Sequence, residues 1–155
     1  DLRQFARRGF LMGFGVEIPF VNLLGFELTH FDNGHSELTF SPRPEHHNSF
    51  AVVHGGVIMT LLDVAMATAA RSLAPDHGIV TIEMKTSFMR PALGPLKAKG
   101  HLLHRTKTMA FVEAQVLDEQ QQLCATATGT FKYVNRSAPP AGMTPRGASE
   151  PISTD

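Results

Sequence analysis

HGGVIMTLLDVAMATAA, residues 54–70, is the stretch that decides the fold. It carries one formally charged side chain, Asp63, in a run that is otherwise small or apolar. Val57, Ile58, Leu61, Leu62, Val64, Ala65, Met66 and Ala69 leave no wide polar stripe at helical spacing, the pattern of a helix buried nearly all round. The run is short for a membrane span and has a carboxylate near its middle. It therefore reads as the central helix of a soluble domain, opened by Gly55-Gly56 and ending around residues 72–74, before Pro75. Burying an unpaired charge is costly, so Asp63 marks where function should lie.

Outward from this helix the chain reads as strands. Residues 26–32 and 35–41 flank Asn33-Gly34, the preferred pair for a type I′ hairpin turn, and Leu38 and Phe40 alternate with Glu37 and Thr39. Residues 41–53 form a Pro- and His-rich loop. After the helix, residues 79–90 alternate Val80, Ile82 and Met84 against Thr81, Glu83 and Lys85. Residues 96–105, 109–117 (more weakly alternating) and 123–134 complete a four-strand meander; in the last, Leu123, Ala125, Ala127, Phe131 and Tyr133 oppose Cys124, Thr126, Thr128, Thr130 and Lys132. Hairpin, buried helix and meander, without βαβ alternation, predict an α+β fold with an antiparallel sheet of about five to six strands against one long helix.

Leu2, Phe5, Ala6 and Phe10 suit a short N-terminal helix, and residues 18–25 a further helical turn, so residues 1–24 read as a helical extension. The domain proper spans 25–134, and 135–155, rich in Pro, Gly, Ser and Thr, reads as an extended tail. Arg7 and Arg8, just before the first apolar patch, do not make a signal peptide, because glycines break that patch and no small-residue cleavage site follows. Cytoplasmic is the default location, with no membrane association expected.

The 155 residues suffice for one core without staples. Lys plus Arg and Asp plus Glu balance at 14 each, so no global field points to nucleic acid. The single cysteine, Cys124, excludes an intrachain disulfide and suggests a packed thiol. Glu45-His46-His47-Asn48 lacks the further ligands of a metal site, and Ser49 lacks a triad. No metal is expected.

A helix buried on all sides needs more cover than one sheet provides, and a second copy bringing its own helix alongside would supply it, as an obligate dimer. His54 and Asp63 lie on opposite sides of one helix, roughly 13 Å apart along its axis, and cannot touch within a chain. In a dimer with antiparallel helices, Asp63 of one chain can approach the His54-Gly55 end of the other. The free amides at a helix start stabilise an oxyanion, and glycines at 55 and 56 allow a carbonyl to come close. A facing carboxylate can act as general base or nucleophile. Against this, Gly-Gly before a helix can be only a turn, His54 only a cap, and Asp63 a structural acid paired with an arginine.

The combination Asn48, His54-Gly55-Gly56 and Asp63 resembles the hotdog-fold acyl-CoA thioesterases of the PaaI-like group. The resemblance runs from about Gly25 to Val134 and includes VTIEMK (80–85), FMRPA (88–92) and KTMAF (107–111). It implies a long helix wrapped by an antiparallel sheet, dimerising through helix and sheet, with dimers that can pair into tetramers. It implies hydrolysis of an acyl-CoA to a carboxylic acid and free CoA, with no cofactor beyond the coenzyme A of the substrate. The Gly55 N–H, helped by Asn48, would polarise the thioester carbonyl, and Asp63 of the facing subunit would be nucleophile or general base. Thr81 would help Asp63 hold water, although strand parity groups it with Glu83 and Lys85 and leaves a solvated hydroxyl equally open. His54 would orient the loop or assist near the leaving sulfur. Gly56, Phe88, Arg90, Pro91, Arg105 and Lys107 are the candidates for binding substrate and coenzyme A, with Phe50, Phe88 or Phe111 able to line an acyl pocket. An acyl-thioester dehydratase or hydratase, and a non-catalytic acyl-CoA-binding protein, are the rival readings.

Overall fold

The computed structural model describes residues 14–136; the proposed helix at Leu2–Phe10 and the tail from 137 lie outside that range. A short helix α1 (Pro19–Leu24) leads into β1 (Glu27–Asp32) and β2 (His35–Phe40). Helix α2 (Gly55–Arg71) follows, then β3 (His77–Phe88), β4 (Leu96–Arg105), β5 (Met109–Leu117) and β6 (Leu123–Asn135). The β1–β2 turn is as expected: Asn33 and Gly34 both take left-handed conformations, with φ of 49° and 77°.

The strands form one antiparallel sheet in the order β1-β2-β4-β5-β6-β3, and α2 touches every strand. The four-strand meander expected after the helix is therefore only three strands long. β3 pairs with β6 at the far edge, and residues 89–95 carry the chain back so that β4 can pair with β2. Pro91 and Pro95 cannot donate to a ladder, which removes the hairpin alternative at this point. Loop and helix entrance are tied together where the Val53 N–H donates to the Ala92 carbonyl at 3.0 Å.

Two serine side chains help to seat the helix. At its end, the Ser72 hydroxyl donates to the Ala69 carbonyl (2.7 Å) and accepts from the Gly34 N–H (2.7 Å), pinning the β1–β2 turn to the last turn of α2. At its middle, the Ser36 hydroxyl donates to the Ala65 carbonyl at 2.6 Å, with both groups buried. This approach requires a glycine on β4: a Cβ at Gly100 would run into the Ala65 carbonyl and come within 2.5 Å of Ser36 Oγ. Around these contacts Leu38, Phe40, Leu61, Leu62, Met66 and Phe131 form the buried centre of the core.

The sheet does not cover α2 all round. Gly56, Met59, Thr60, Asp63, Val64 and Ala67 form a stripe left wholly or partly open, with Met59 38% exposed. The helix is thus one-sided within a single chain, because the sheet stops at the β3 edge beside this stripe. β3 also departs from the expected alternation. Thr81 pairs with Phe131 but Glu83 pairs with Thr130, so Ile82 is the extra residue of a β-bulge. The bulge reverses parity. Before it Ile79 and Thr81 face the helix; after it Met84 and Thr86 do, opposite Gly129 and Ala127. Val80 and Ile82, expected inside, are 44% and 54% exposed. In β6, Cys124 is buried where Leu123 was expected to be, because the β5–β6 register shifts at Val116/Leu117.

Gly100→Ala should destabilise the chain by about 1–3 kcal/mol, the usual cost of forcing atoms into a packed site, seen as a lowered denaturant midpoint at unchanged slope. An unaffected midpoint would show that the helix can back away from β4 at no cost.

Candidate active site

The entrance to α2 is built by hydrogen bonds that the Pro- and His-rich loop makes with itself. The Asn48 side-chain oxygen accepts from the Phe50 N–H (2.9 Å) and the Val52 N–H (3.4 Å), closing a tight turn in which Ala51 adopts φ 58°. His46 is buried, with Nδ1 accepting from the Arg43 N–H at 2.9 Å, and its carbonyl accepts the His54 N–H at 2.8 Å. Of the adjacent histidines, His46 is therefore committed to backbone.

His54 is the N-cap of α2. Its Nδ1 accepts the Gly56 N–H at 2.9 Å, and its carbonyl accepts from Val57 and Ile58. The cap places the proton of a neutral imidazole on Nε2. It also consumes the Gly56 amide. Gly55 is the first residue of the helix, so its N–H has no intrahelical acceptor, and no other group among the described residues accepts from it. Next to it stands Phe88, whose ring edge would lie 3.4 Å from a Cβ at position 55. Asn48, Gly55, Phe88, Arg90 and Pro91, all expected from sequence, line one cavity of about 400 Å³. Val52, Val53, Ile58, Ala92 and Ala125 make its apolar wall. Buried Cys124 also borders it; burial is the main reason its thiol is pushed above the ordinary range, the signature of a packed thiol.

Asp63 lies elsewhere. It is two turns along the helix and lines a second cavity, of about 390 Å³, with Thr81. The Thr81 hydroxyl donates to Asp63 Oδ1 at 2.7 Å, an arrangement that the β-bulge makes possible. Thr81 is thereby placed against the acid while remaining exposed to solvent. Asp63 is partly buried and, among the described residues, has no arginine or lysine paired with it. Burial raises its pKa above the ordinary carboxylate value, and the Thr81 hydrogen bond offsets part of that rise.

Arg105 and Lys107 are not part of either cavity within the chain. Arg105 stacks over Tyr133, with its guanidinium carbon 4.6 Å from the ring centroid, and Nη1 reaches the Leu73 carbonyl at 3.5 Å, near the helix C-terminus. Lys107 is exposed in the β4–β5 turn. Arg71, which sequence reasoning did not single out, is buried and lines the Asp63 cavity. Its signal was its place eight residues after Asp63, on the same side of the helix.

A single long helix wrapped by an antiparallel sheet is the hotdog architecture. The chain matches the family model of the thioesterase superfamily over residues 50–125. It is 30% identical over 111 residues to a candidate esterase of Saccharolobus solfataricus, covering 71% of this chain and 74% of that protein. It is 27% identical over 135 residues to the medium/long-chain acyl-CoA thioesterase YigI of Escherichia coli, covering 76% and 87%. Among solved structures, a conserved protein of Pseudomonas aeruginosa superposes with a TM-score of 0.73 at 28% identity, covering 76% of this chain and 95% of that one. The PaaI protein of the E. coli phenylacetic acid degradation operon gives 0.74 at 21% identity, covering 81% and 91%. The chain belongs to the thioesterase superfamily, with the hotdog fold of the PaaI-like proteins.

Because the folded protein holds the Asp63 proton more tightly than the unfolded chain, the stability that this proton confers is complete below the unfolded pKa and is lost as pH rises through the raised folded value. Asp63→Asn should therefore gain in melting temperature over the parent as pH rises from 4 to 7. A variant relatively less stable at pH 7 would mean that the ionised carboxylate has a cationic partner.

Proposed function

We propose that this protein hydrolyses acyl-CoA thioesters to a carboxylic acid and free CoA, and that it does so as a homodimer with sites shared between chains. The observation that carries this reading is the Asp63–Thr81 pair: a desolvated carboxylate with no cation paired to it among the described residues, held by a hydroxyl and facing a cavity. Such a group is poised to accept a proton from water or to attack a carbonyl. The open Gly55 N–H, at the positive end of a 17-residue helix, supplies the complementary oxyanion donor.

Within one chain these halves are eight residues apart, about 12 Å along the helix, too far to act on one carbonyl. A two-fold axis beside the open stripe of α2 brings Asp63 of one chain toward Gly55 of the other. That contact also covers Met59 and the long outer edge of β3, whose unpaired backbone groups need an occupant. The Gly55 amide polarises the thioester carbonyl, with the Asn48 side-chain amide beside it. Asp63 activates water or attacks directly, and Thr81 fixes the carboxylate. His54 acts through its cap, keeping Gly56 occupied and Gly55 free. Arg90, which lines the Gly55 cavity, would meet the phosphates of coenzyme A, while Arg105 and Lys107 line neither cavity. The reaction as proposed takes coenzyme A only as part of the substrate and uses no metal. Among the described residues no helix is long and apolar enough to cross a membrane. A cytoplasmic site of action, where acyl-CoA is made and consumed, suits this reading.

Asp63→Asn should lower thiol release from acyl-CoA by about 10²-fold or more. Gly55→Pro removes the open N–H at a helix position where proline is well tolerated, after a His54 whose φ of −58° and ψ of 136° suit the residue before proline. It should cost about 10²–10³-fold in kcat with the fold retained. Refolded together, the two inactive variants should regain activity, because a mixed dimer has one site with both groups intact. Variants that stay active alone refute these roles. Failure of the mixture to recover refutes the sharing.

A further inference from the structure

The Asp63 cavity has two chemically different ends. At one are Asp63 and Thr81; at the other is Arg71, 6% exposed, with its guanidinium over the Phe31 ring at 5.5 Å. Asp63 and Arg71 are eight residues apart on one helix, hence about 12 Å along the axis and 80° around it, on the same side. The wall between them is apolar: Phe14, Ile18, Val64, Ala67 and Ile79. Two other charged groups face this cavity. Arg136 carries the same sign as Arg71 and adds to the disfavour of its charge. Glu17 is exposed at the rim and makes no ion pair with either arginine. Among the described residues Arg71 has no carboxylate partner, and a cation held this deep without one is costly. A planar guanidinium is the group best shaped to take a carboxylate through two hydrogen bonds.

Building on the thioesterase reading, we propose that the acyl group of the substrate is an ω-carboxyacyl chain of about six to eight carbons, the half-thioester of a dicarboxylic acid, and that Arg71 selects it by binding the distal carboxylate. The thioester carbonyl then sits at Asp63, the methylenes lie along Val64, Ala67 and Ile79, and the terminal carboxylate neutralises the buried Arg71. Arg71 determines specificity and takes no part in bond breaking. A plain fatty acyl group of equal length fills the same wall but leaves the guanidinium uncompensated, so it gains less on binding.

The test measures thiol release from adipyl-, suberyl-, hexanoyl- and octanoyl-CoA. Wild type should favour each ω-carboxy ester over the plain ester of equal length by about tenfold to a hundredfold in kcat/KM, the worth of a charge-assisted hydrogen bond. Arg71→Met should bring that ratio to one or below, and Arg71→Lys should keep part of it. Should Arg71→Met fail to fold, the wild-type ratios and competitive inhibition by free suberate against free octanoate decide the matter. Release without preference for the ω-carboxy esters overturns this inference and leaves the thioesterase reading standing. So does an equal loss on all four esters in Arg71→Met, which would assign the arginine to the coenzyme A phosphates. No thiol release from any of the four overturns the thioesterase reading and this inference together.

Discussion

The fold depends on how closely a helix backbone can be brought to a strand. The Ala65 carbonyl, already an acceptor inside the helix, also takes the Ser36 hydroxyl, and Gly100 gives up its side chain so that β4 can pass beneath. At normal helix-to-sheet spacing the six strands would have no reason to close around α2. Drawn in at this point, they reach it from both flanks, and Leu38, Leu61, Leu62, Met66 and Phe131 fill the space that remains. The side of α2 turned away from this contact is the one the sheet cannot reach, and Asp63 is on its border.

From that follows an electrostatic division of labour. The helix start has one donor too many, because His54 satisfies Gly56 and leaves Gly55 open. The helix middle carries a carboxylate that burial makes reluctant to ionise and that a threonine hydroxyl only partly appeases. Each feature costs stability where it stands, and each is cheaper in the presence of the other's chemistry: an oxyanion for the amide, a proton for the carboxylate. Local unfavourable terms kept in this way are characteristic of functional surfaces.

Much of this was legible in the residues. The apolar density of 54–70, the Asn33-Gly34 turn and the alternation around Leu38 and Phe40 predict the helix, the hairpin and the mixed architecture. The cap residue and the glycines predict where the helix opens. What escaped is where local pattern and global pairing disagree. Strand order cannot be read from alternation, because β3 has the same period whether it pairs with β4 or β6. The weak pattern of β5 hid a regular inward set, Ala110, Val112, Ala114 and Val116, since alanine barely registers as apolar. Arg71 was not singled out, because a cation in the last turn of a helix is what the helix dipole ordinarily favours; only the packed structure shows it buried. The side of the strand that Thr81 faces stayed open for a subtler reason, an extra residue that no periodicity foretells.

That extra residue divides β3 into two segments with independent phases. Up to Thr81 the strand serves the carboxylate, and beyond Glu83 it serves the hydrophobic interior. Because the phase is reset between them, the sequence on either side can drift without the other having to follow. Ile82 itself belongs to neither ladder. A strand at the rim of a sheet thus becomes two separately adjustable parts, one free to follow the chemistry and the other held to the demands of packing.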